Sequence, residues 1–162
     1  MKRLVSNFAA LGAVLLMALP AQASGAGAIS VTQTFHNATQ TFVPPDPTAV
    51  QPCTGVPGTL TITYNGVAHS TFLTSGVGAG TGWFTFTATG TFTFIGSDGV
   101  NFSGRFTNWD GQNFNLHNFA ATGILVVHGT GSDGSSLTFH DVFHMSVSAS
   151  GITLFFDKPS CT

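Results

Sequence analysis

Six histidines are the side chains of this sequence best suited to bind a metal, but their spacing disfavours such a site. His140 and His144 stand four residues apart in the segment His-Asp-Val-Phe-His. On a β-strand this spacing separates the two side chains by about 13 Å, whereas zinc binds nitrogen ligands at about 2.0–2.1 Å. His128 could approach His140 across a hairpin, but a third ligand would have to come from elsewhere. We therefore expect no metal, and no motif indicates another cofactor.

Acid–base and nucleophilic catalysis also find few candidate groups. The sequence contains six aspartates and no glutamate, and its serines do not form the G-x-S-x-G motif of a nucleophile elbow. Three aspartates precede a glycine and are interpreted as turn residues, namely Asp98, Asp110 and Asp133. Asp46 lies in a proline-rich segment, and Asp157 lies at the end of the last predicted strand. Asp141 is left as the candidate catalytic residue.

Asp141 is unusual because strand alternation puts it on an apolar face. The other residues of that face are Leu137, Phe139, Phe143, Met145 and Val147. A carboxylate in such a place must be paired, hydrogen-bonded or protonated. Arg105 is the natural candidate partner, but alternation puts it on the opposite face of its strand from Phe102 and Phe106. A backbone or hydroxyl partner at a barrel end is the simpler interpretation.

The two cysteines, Cys53 and Cys161, predict a disulfide bond, because an even pair in an exported chain is usually oxidised. The bond would close a loop of about 108 residues, for which loss of chain entropy gives roughly 4–5 kcal/mol of stabilisation. The pair lacks the C-x-x-C spacing of a redox or metal site.

The N-terminus predicts export. Two basic residues precede an apolar run from Phe8 to Leu19, and an Ala-Gln-Ala tripeptide ending at Ala23 supplies the small residues of a cleavage site. The run is too short for a stable membrane span, and none is expected in the mature protein. We predict a signal peptide over residues 1–23, a flexible leader over 24–30 and one secreted domain over 31–162.

Charge excludes two classes of partner. After cleavage the chain would keep two basic side chains, Arg105 and Lys158, against six aspartates, a formal charge of −4. Nucleic acids and anionic membrane surfaces are bound by clustered Lys and Arg, so neither is expected. The apolar content is rich in phenylalanine, sixteen in all, which brings bulk without a polar group and suits a core or an apolar cavity.

Alternation with a period of two dominates the sequence beyond the proline-rich segment 44–58. From Trp83 to Ile95, phenylalanine and small residues alternate with threonine, which predicts a strand with one buried face. Gly90 at its centre would permit a bend. Extended over the neighbouring strands, this face predicts the residues that would line a lumen: Phe84, Phe86, Phe92, Phe94, Phe102, Phe106, Phe139 and Phe143.

Turn signals divide the strands. Asn65-Gly66 predicts a two-residue hairpin, because both positions of its turn need positive φ. Three segments predict three-residue hairpin loops with glycine in the left-handed position, namely Ser97-Asp98-Gly99, Trp109-Asp110-Gly111 and Ser132-Asp133-Gly134. A last hairpin is expected near Ser150-Gly151.

These loops fix a register. The first three-residue loop pairs Phe94 with Phe102, and the second would pair Phe106 with Phe114. Continued regularly, that register turns the apolar face of the segment 137–147 outward. We therefore predict a bulge within residues 117–123 that buries Phe139 and Phe143 and leaves His140 and His144 in solvent.

About eight antiparallel strands in meander order, with no helical periodicity, predict an all-β fold. A sheet of this size must close or fold over to protect its edges. We predict an antiparallel up-and-down β-barrel, with a two-sheet β-sandwich as the alternative.

Three segments of the chain resemble small secreted β-proteins of actinobacteria, a group without an assigned activity: residues 131–141 (GSDGSSLTFHD), 147–151 (VSASG) and 156–161 (FDKPSC). The resemblance extends from about His36 to the C-terminus and transfers no catalytic residues. At the level of architecture, the chain is also similar to allene-oxide-cyclase-like and lipocalin-like barrels. That similarity implies a lumen able to hold an apolar ligand, and it implies no reaction.

Three functions are compatible with these patterns. The favoured hypothesis is a binding module for a small apolar molecule, since phenylalanine is abundant and charge is scarce. The second is a cyclase- or isomerase-type enzyme, which needs a polar cluster inside and would use Asp141. The third is a structural or surface protein whose barrel is filled by phenylalanine, because eight strands are near the size that side chains alone can fill.

Overall fold

Seven strands follow one another along the chain, and each pairs antiparallel with the next in a computed structural model that describes residues 27–162. The strands are β1 (Ala28–Phe42), β2 (Gly58–Leu73), β3 (Gly82–Gly96), β4 (Asn101–Phe114), β5 (Phe119–Gly131), β6 (Ser136–Ser148) and β7 (Gly151–Asp157). A two-residue strand, β8 (Ser160–Cys161), pairs with β6 beside β7. The all-β, up-and-down prediction is confirmed.

The sheet does not close into a barrel. Its strand order runs from β1 to β7, and within the described residues these two end strands do not pair with each other. β7 is only 7 residues long, against 15 for β1, so it cannot cover that edge along its length. β1 begins at Ala28, so residues 28–30, expected in the leader, belong to the sheet.

The predicted signal peptide, residues 1–23, lies outside the described residues. Within the described part of the chain, no helix is long and apolar enough to cross a membrane.

The sheet is strongly curved, although it is open. Phe92 and Phe94 of β3 form one buried cluster with Leu137 and Phe139 of β6, which lies three strands away. In a flat sheet strands so related would be about 14 Å apart, so the strands between them must curl. We call the face that carries this cluster the inner face and the opposite, threonine-rich face the outer face.

Glycines sit where the curved strands approach most closely. A Cβ atom on Gly90 would lie 2.2 Å from the carbonyl oxygen of Thr63, and one on Gly104 would lie 2.0 Å from that of His128. Both distances are far shorter than any contact that a methyl group tolerates. The curvature therefore depends on the absence of a side chain at these two positions of the inner face.

Gly104→Ala is expected to lower the free energy of unfolding by roughly 1–3 kcal/mol, because the added methyl group forces the β4 and β5 backbones apart. Chemical denaturation measures the effect. Ser103→Ala is the control, since it truncates the neighbouring exposed side chain on the outer face. Equal stability of the two variants would contradict the close approach at Gly104.

Two of the predicted three-residue hairpins are confirmed. In the β3–β4 hairpin the amide of Gly96 donates to the carbonyl of Val100, Gly99 has a φ of 86°, and Phe94 pairs with Phe102. The loop 132–134 between β5 and β6 repeats this arrangement, with a φ of 85° at Gly134. The last hairpin turns between Ser148 and Gly151, near the predicted place.

The predicted hairpins at Asn65-Gly66 and Trp109-Asp110-Gly111 are wrong, because both segments lie inside long strands, β2 and β4. The turn after β4 is instead formed by residues 115–118, where Asn115 Oδ1 accepts hydrogen bonds from the amides of His117 and Asn118, each 2.8 Å long. An asparagine side chain that accepts hydrogen bonds from backbone amides two and three residues later favours a turn without a glycine.

This four-residue turn also replaces the predicted bulge. It pairs Phe114 with Phe119, so Phe106 pairs with Val127 rather than with Phe114, and the ladder from Phe119 onward is regular. A turn with an even number of residues moves the inner face from even positions on β4 to odd positions on β5. Phe139 is buried in consequence, and His140 is exposed on the outer face. Phe143 and His144, predicted to be buried and exposed respectively, are both half-buried.

Candidate ligand-binding cavity

The inner face encloses a cavity of about 530 Å³. Its wall receives side chains from β1 through β6 and from the connection between β1 and β2. Of the phenylalanines predicted to line a lumen, those in the wall are Phe86, Phe92, Phe94, Phe102, Phe106 and Phe139. Phe84 packs instead beside the cluster around Tyr64, and the ring of Phe143 lies 5.9 Å from that of Phe155.

The proline segment, residues 43–57, covers one end of the cavity. It contributes Pro47, Val50 and Gln51 to the wall, and a β-bridge between Val50 and Pro57 gives it a hairpin-like shape. Gln51 is buried, and its Oε1 accepts hydrogen bonds of 2.6 Å from the amides of Cys53 and Thr54. The side chain of Gln51 therefore organises the segment from within.

The disulfide bond ties the proline segment to the opposite side of the sheet. Cys53 is bonded to Cys161, as predicted, with their Cα atoms 5.8 Å apart and a sequence separation of 108. Cys161 pairs with Phe139, near the start of β6. The bond thus joins the β1–β2 connection to β6, where the strands themselves do not close the sheet.

The cavity wall is apolar apart from a few groups. Asn108 of β4 is one of them, and its Nδ2 donates a 2.5 Å hydrogen bond to Oδ2 of Asp110 while its Oδ1 is buried without a partner. Asp110 is not the turn residue that we predicted. Burial raises the pKa of Asp110, and the hydrogen bond from Asn108 acts in the opposite direction.

Asp141 is the most deeply buried polar group of the wall. Its residue is 2% exposed, and its Oδ1 atom has no hydrogen-bond partner. Burial, followed by the charge of Asp157 and a hydrogen bond between the two carboxyl groups, raises the pKa of Asp141 to about 6. A hydrogen bond to the backbone of Val142 has the opposite effect. Asp141 therefore lies in the wall beside a second carboxyl group, Asp157, and holds its proton more tightly than an exposed aspartate does.

Asp157 reaches this position through an irregularity that sequence reasoning missed. The register between β6 and β7 shifts between Ser146 and Val147, so that Asp157 pairs with Phe143. Thr153, the extra residue, donates its hydroxyl to the carbonyl of Ser146. The shift places Asp157 on the inner face, next to Asp141.

The remaining candidates lie on the outer face. Arg105 pairs with Thr91 and His128, away from Asp141, as strand alternation indicated. His144 shares a 2.8 Å hydrogen bond with the Thr122 hydroxyl. Among residues 27–162, no three His, Cys, Asp or Glu side chains lie close enough together to hold a metal ion.

Tyr64, Gln51 and Asn108 are wall residues that the sequence did not single out. Tyr64 could have been found, because it alternates with Leu60 and Ile62 on one strand, and its burial raises the pKa of its phenol. Asn108 could not, because the sequence predicts a hairpin loop at the adjacent Trp109-Asp110-Gly111, and that loop does not form.

No family model, no curated protein and no solved structure matches this chain. The resemblances inferred from the sequence stay predictions, and the cavity has to be interpreted from its own geometry.

Proposed function

We propose that this chain is an exported binding protein that holds a small apolar molecule in the cavity of its curved sheet. The observation that carries the proposal is the cavity itself. Its volume of about 530 Å³ falls within the range of known small-molecule sites, roughly 300–1,000 Å³. Sites of that kind combine an apolar wall with a few placed polar groups, which is the composition of this wall.

Two further observations support this function. An unfilled space of this size favours binding over the alternative of a protein filled solidly by phenylalanine. The disulfide bond is consistent with an extracellular location, where such bonds persist. Export itself would depend on residues 1–23, as the sequence predicts.

Val127→Phe is expected to weaken binding of the neutral apolar dye N-phenyl-1-naphthylamine by at least about tenfold. Val127 lines the cavity, and the larger ring would displace ligand contacts worth about two methylene groups at ~0.8 kcal/mol each. The rise in dye fluorescence on binding measures the affinity. Val126→Phe is the matched control, since it makes the same change one residue away on the outer face.

The two results that oppose this function are distinct. A dye that does not bind the unaltered protein would argue against a binding module. A dye that binds but is weakened equally by both variants would argue that it occupies some other surface.

One observation favours acid–base catalysis as a second candidate function. Asp141 has a pKa of about 6 and a carboxyl neighbour inside an apolar cavity, an environment typical of general acids and bases. The test is incubation of the ligand that co-purifies with the protein. Chemical conversion by the unaltered chain and not by Asp141→Asn would indicate an enzyme.

A further inference from the structure

The buried polar atoms of this protein lack one kind of partner. Within the described residues, four buried side-chain atoms have no hydrogen-bond partner: Gln40 Oε1, Asn108 Oδ1, Asp141 Oδ1 and Asp157 Oδ1. All four are oxygen atoms that accept hydrogen bonds. An unpaired buried acceptor is costly, and two of these, on Asn108 and Asp141, belong to residues of the cavity wall. These two residues therefore place unsatisfied acceptors just behind the cavity surface, where a small side-chain rotation would bring them to an occupant that donates.

The distribution of charged side chains also favours an occupant that donates hydrogen bonds. The described chain contains two basic side chains, Arg105 and Lys158, and neither lines the cavity. Arg105 is on the outer face, and Lys158 Nζ lies 5.4 Å from the ring centre of Phe156, which pairs with the outer-face residue His144. Asp141 therefore has a carboxyl neighbour, Asp157, and no cation beside it within the cavity wall.

We propose that the cavity binds an apolar molecule carrying a protonated amine, and that the amine docks against Asp141. This inference rests on the proposed function. An ammonium group has three donors and a positive charge, so it satisfies the Asp141 acceptor and neutralises the carboxylate together. A hydroxyl group would satisfy one acceptor and leave the charge, and a carboxylate ligand would be repelled by Asp141 and Asp157. Charge-assisted hydrogen bonds are the stronger kind, especially away from water.

The test compares decylamine, decan-1-ol and decanoate, which share one chain length and differ in the head group. Titration calorimetry at pH 8 keeps the amine protonated, since alkylammonium groups lose their proton near pH 10, and keeps Asp141 ionised. Decylamine is expected to bind at least about tenfold more tightly than decan-1-ol, and decanoate most weakly. In Asp141→Asn the preference for the amine is expected to disappear while decan-1-ol binding stays unchanged.

Asp98→Asn is the matched control, because it changes the net charge equally at an exposed turn. Oδ1 of Asp98 accepts a 3.0 Å hydrogen bond from the amide of Val100, which an asparagine oxygen can also accept. The inference is overturned if decylamine binds no better than decan-1-ol, or if both variants weaken the amine equally. In those cases, binding of decan-1-ol would still support the proposed function of an apolar-ligand binding protein. If no decyl compound binds, the proposed function fails as well.

Discussion

Replacing Cys53 and Cys161 by serine is expected to lower the free energy of unfolding by roughly 4–5 kcal/mol, the largest stability effect of any change considered for this chain. The disulfide closes a loop with a sequence separation of 108, and a cross-link of that span removes this much conformational entropy from the unfolded chain. Denaturant unfolding of the double variant and of the oxidised parent measures the difference. A reductant should destabilise the parent and leave the variant unchanged.

The same variant is expected to bind the neutral dye less tightly. The proline segment would then be held over the cavity mainly by the Val50–Pro57 bridge and the hydrogen bonds of Gln51. A stability loss below about 1 kcal/mol would contradict a stabilising role for the disulfide bond, because strain in the native bond would then have to cancel most of the entropic stabilisation.

Asp141→Asn is expected to stabilise the protein at pH 8 by at most about 3 kcal/mol, since the pKa shift is shared with Asp157, and to have a much smaller effect at pH 4. Folding raises the pKa of Asp141 from 3.8 to about 6, and each pKa unit corresponds to ~1.4 kcal/mol. A raised carboxyl pKa means that the folded state holds the proton more tightly. The stabilisation of the folded state by this tighter proton binding is therefore complete below pH 3.8 and is lost as the pH rises through 6.

Thermal or denaturant unfolding at several pH values between 4 and 8 measures this dependence, with Asp98→Asn as the exposed control. The parent protein should be more stable at pH 5 than at pH 8, and the raised pKa of Asp110 adds to that trend. Hydrogen bonds from Ser135 lower the pKa of Asp133, but the stabilisation that they give is lost only below pH 3.8, so Asp133 does not alter the comparison of pH 5 with pH 8. A variant equally stabilised at every pH would show that the carboxyl charge is not responsible.

Local sequence patterns predicted the elements of this fold better than their connections. The Thr-Phe alternation of β3 and the two Ser-Asp-Gly loops, one after β3 and one after β5, are short-range signals, and all are present as expected. The pairing of Cys53 with Cys161 followed from there being no other cysteine. These features need no knowledge of how distant strands meet.

The errors occurred where equivalent local signals compete. Trp109-Asp110-Gly111 has the same Asp-Gly pattern as the true loops, yet β4 continues through it, because continuation pairs Trp109 with Ile124 and Asn108 with Leu125 across a long ladder. Interactions with a strand more than a dozen residues later decide the outcome, and a window of a few residues does not contain them.

The proximity of Asp141 and Asp157 could not be predicted from the sequence for a similar reason. With a regular ladder from the Ser148–Gly151 turn, Asp157 would oppose Val142 on the outer face. The single extra residue, Thr153, moves it opposite Phe143 and beside Asp141. A one-residue irregularity thus determines whether Asp141 of the cavity wall has a second carboxyl group beside it.

The four-residue turn at 115–118 has a consequence for how this chain can change in length. Deleting or inserting one residue there would exchange the faces of β5 and of every later strand, which would turn Phe139 and Asp141 toward solvent. Changes of two residues would keep each side chain on its present face. Descendants of this sequence should therefore accumulate insertions and deletions in pairs at this turn, while single ones are eliminated, even though the turn is exposed and supplies no residue to the cavity wall.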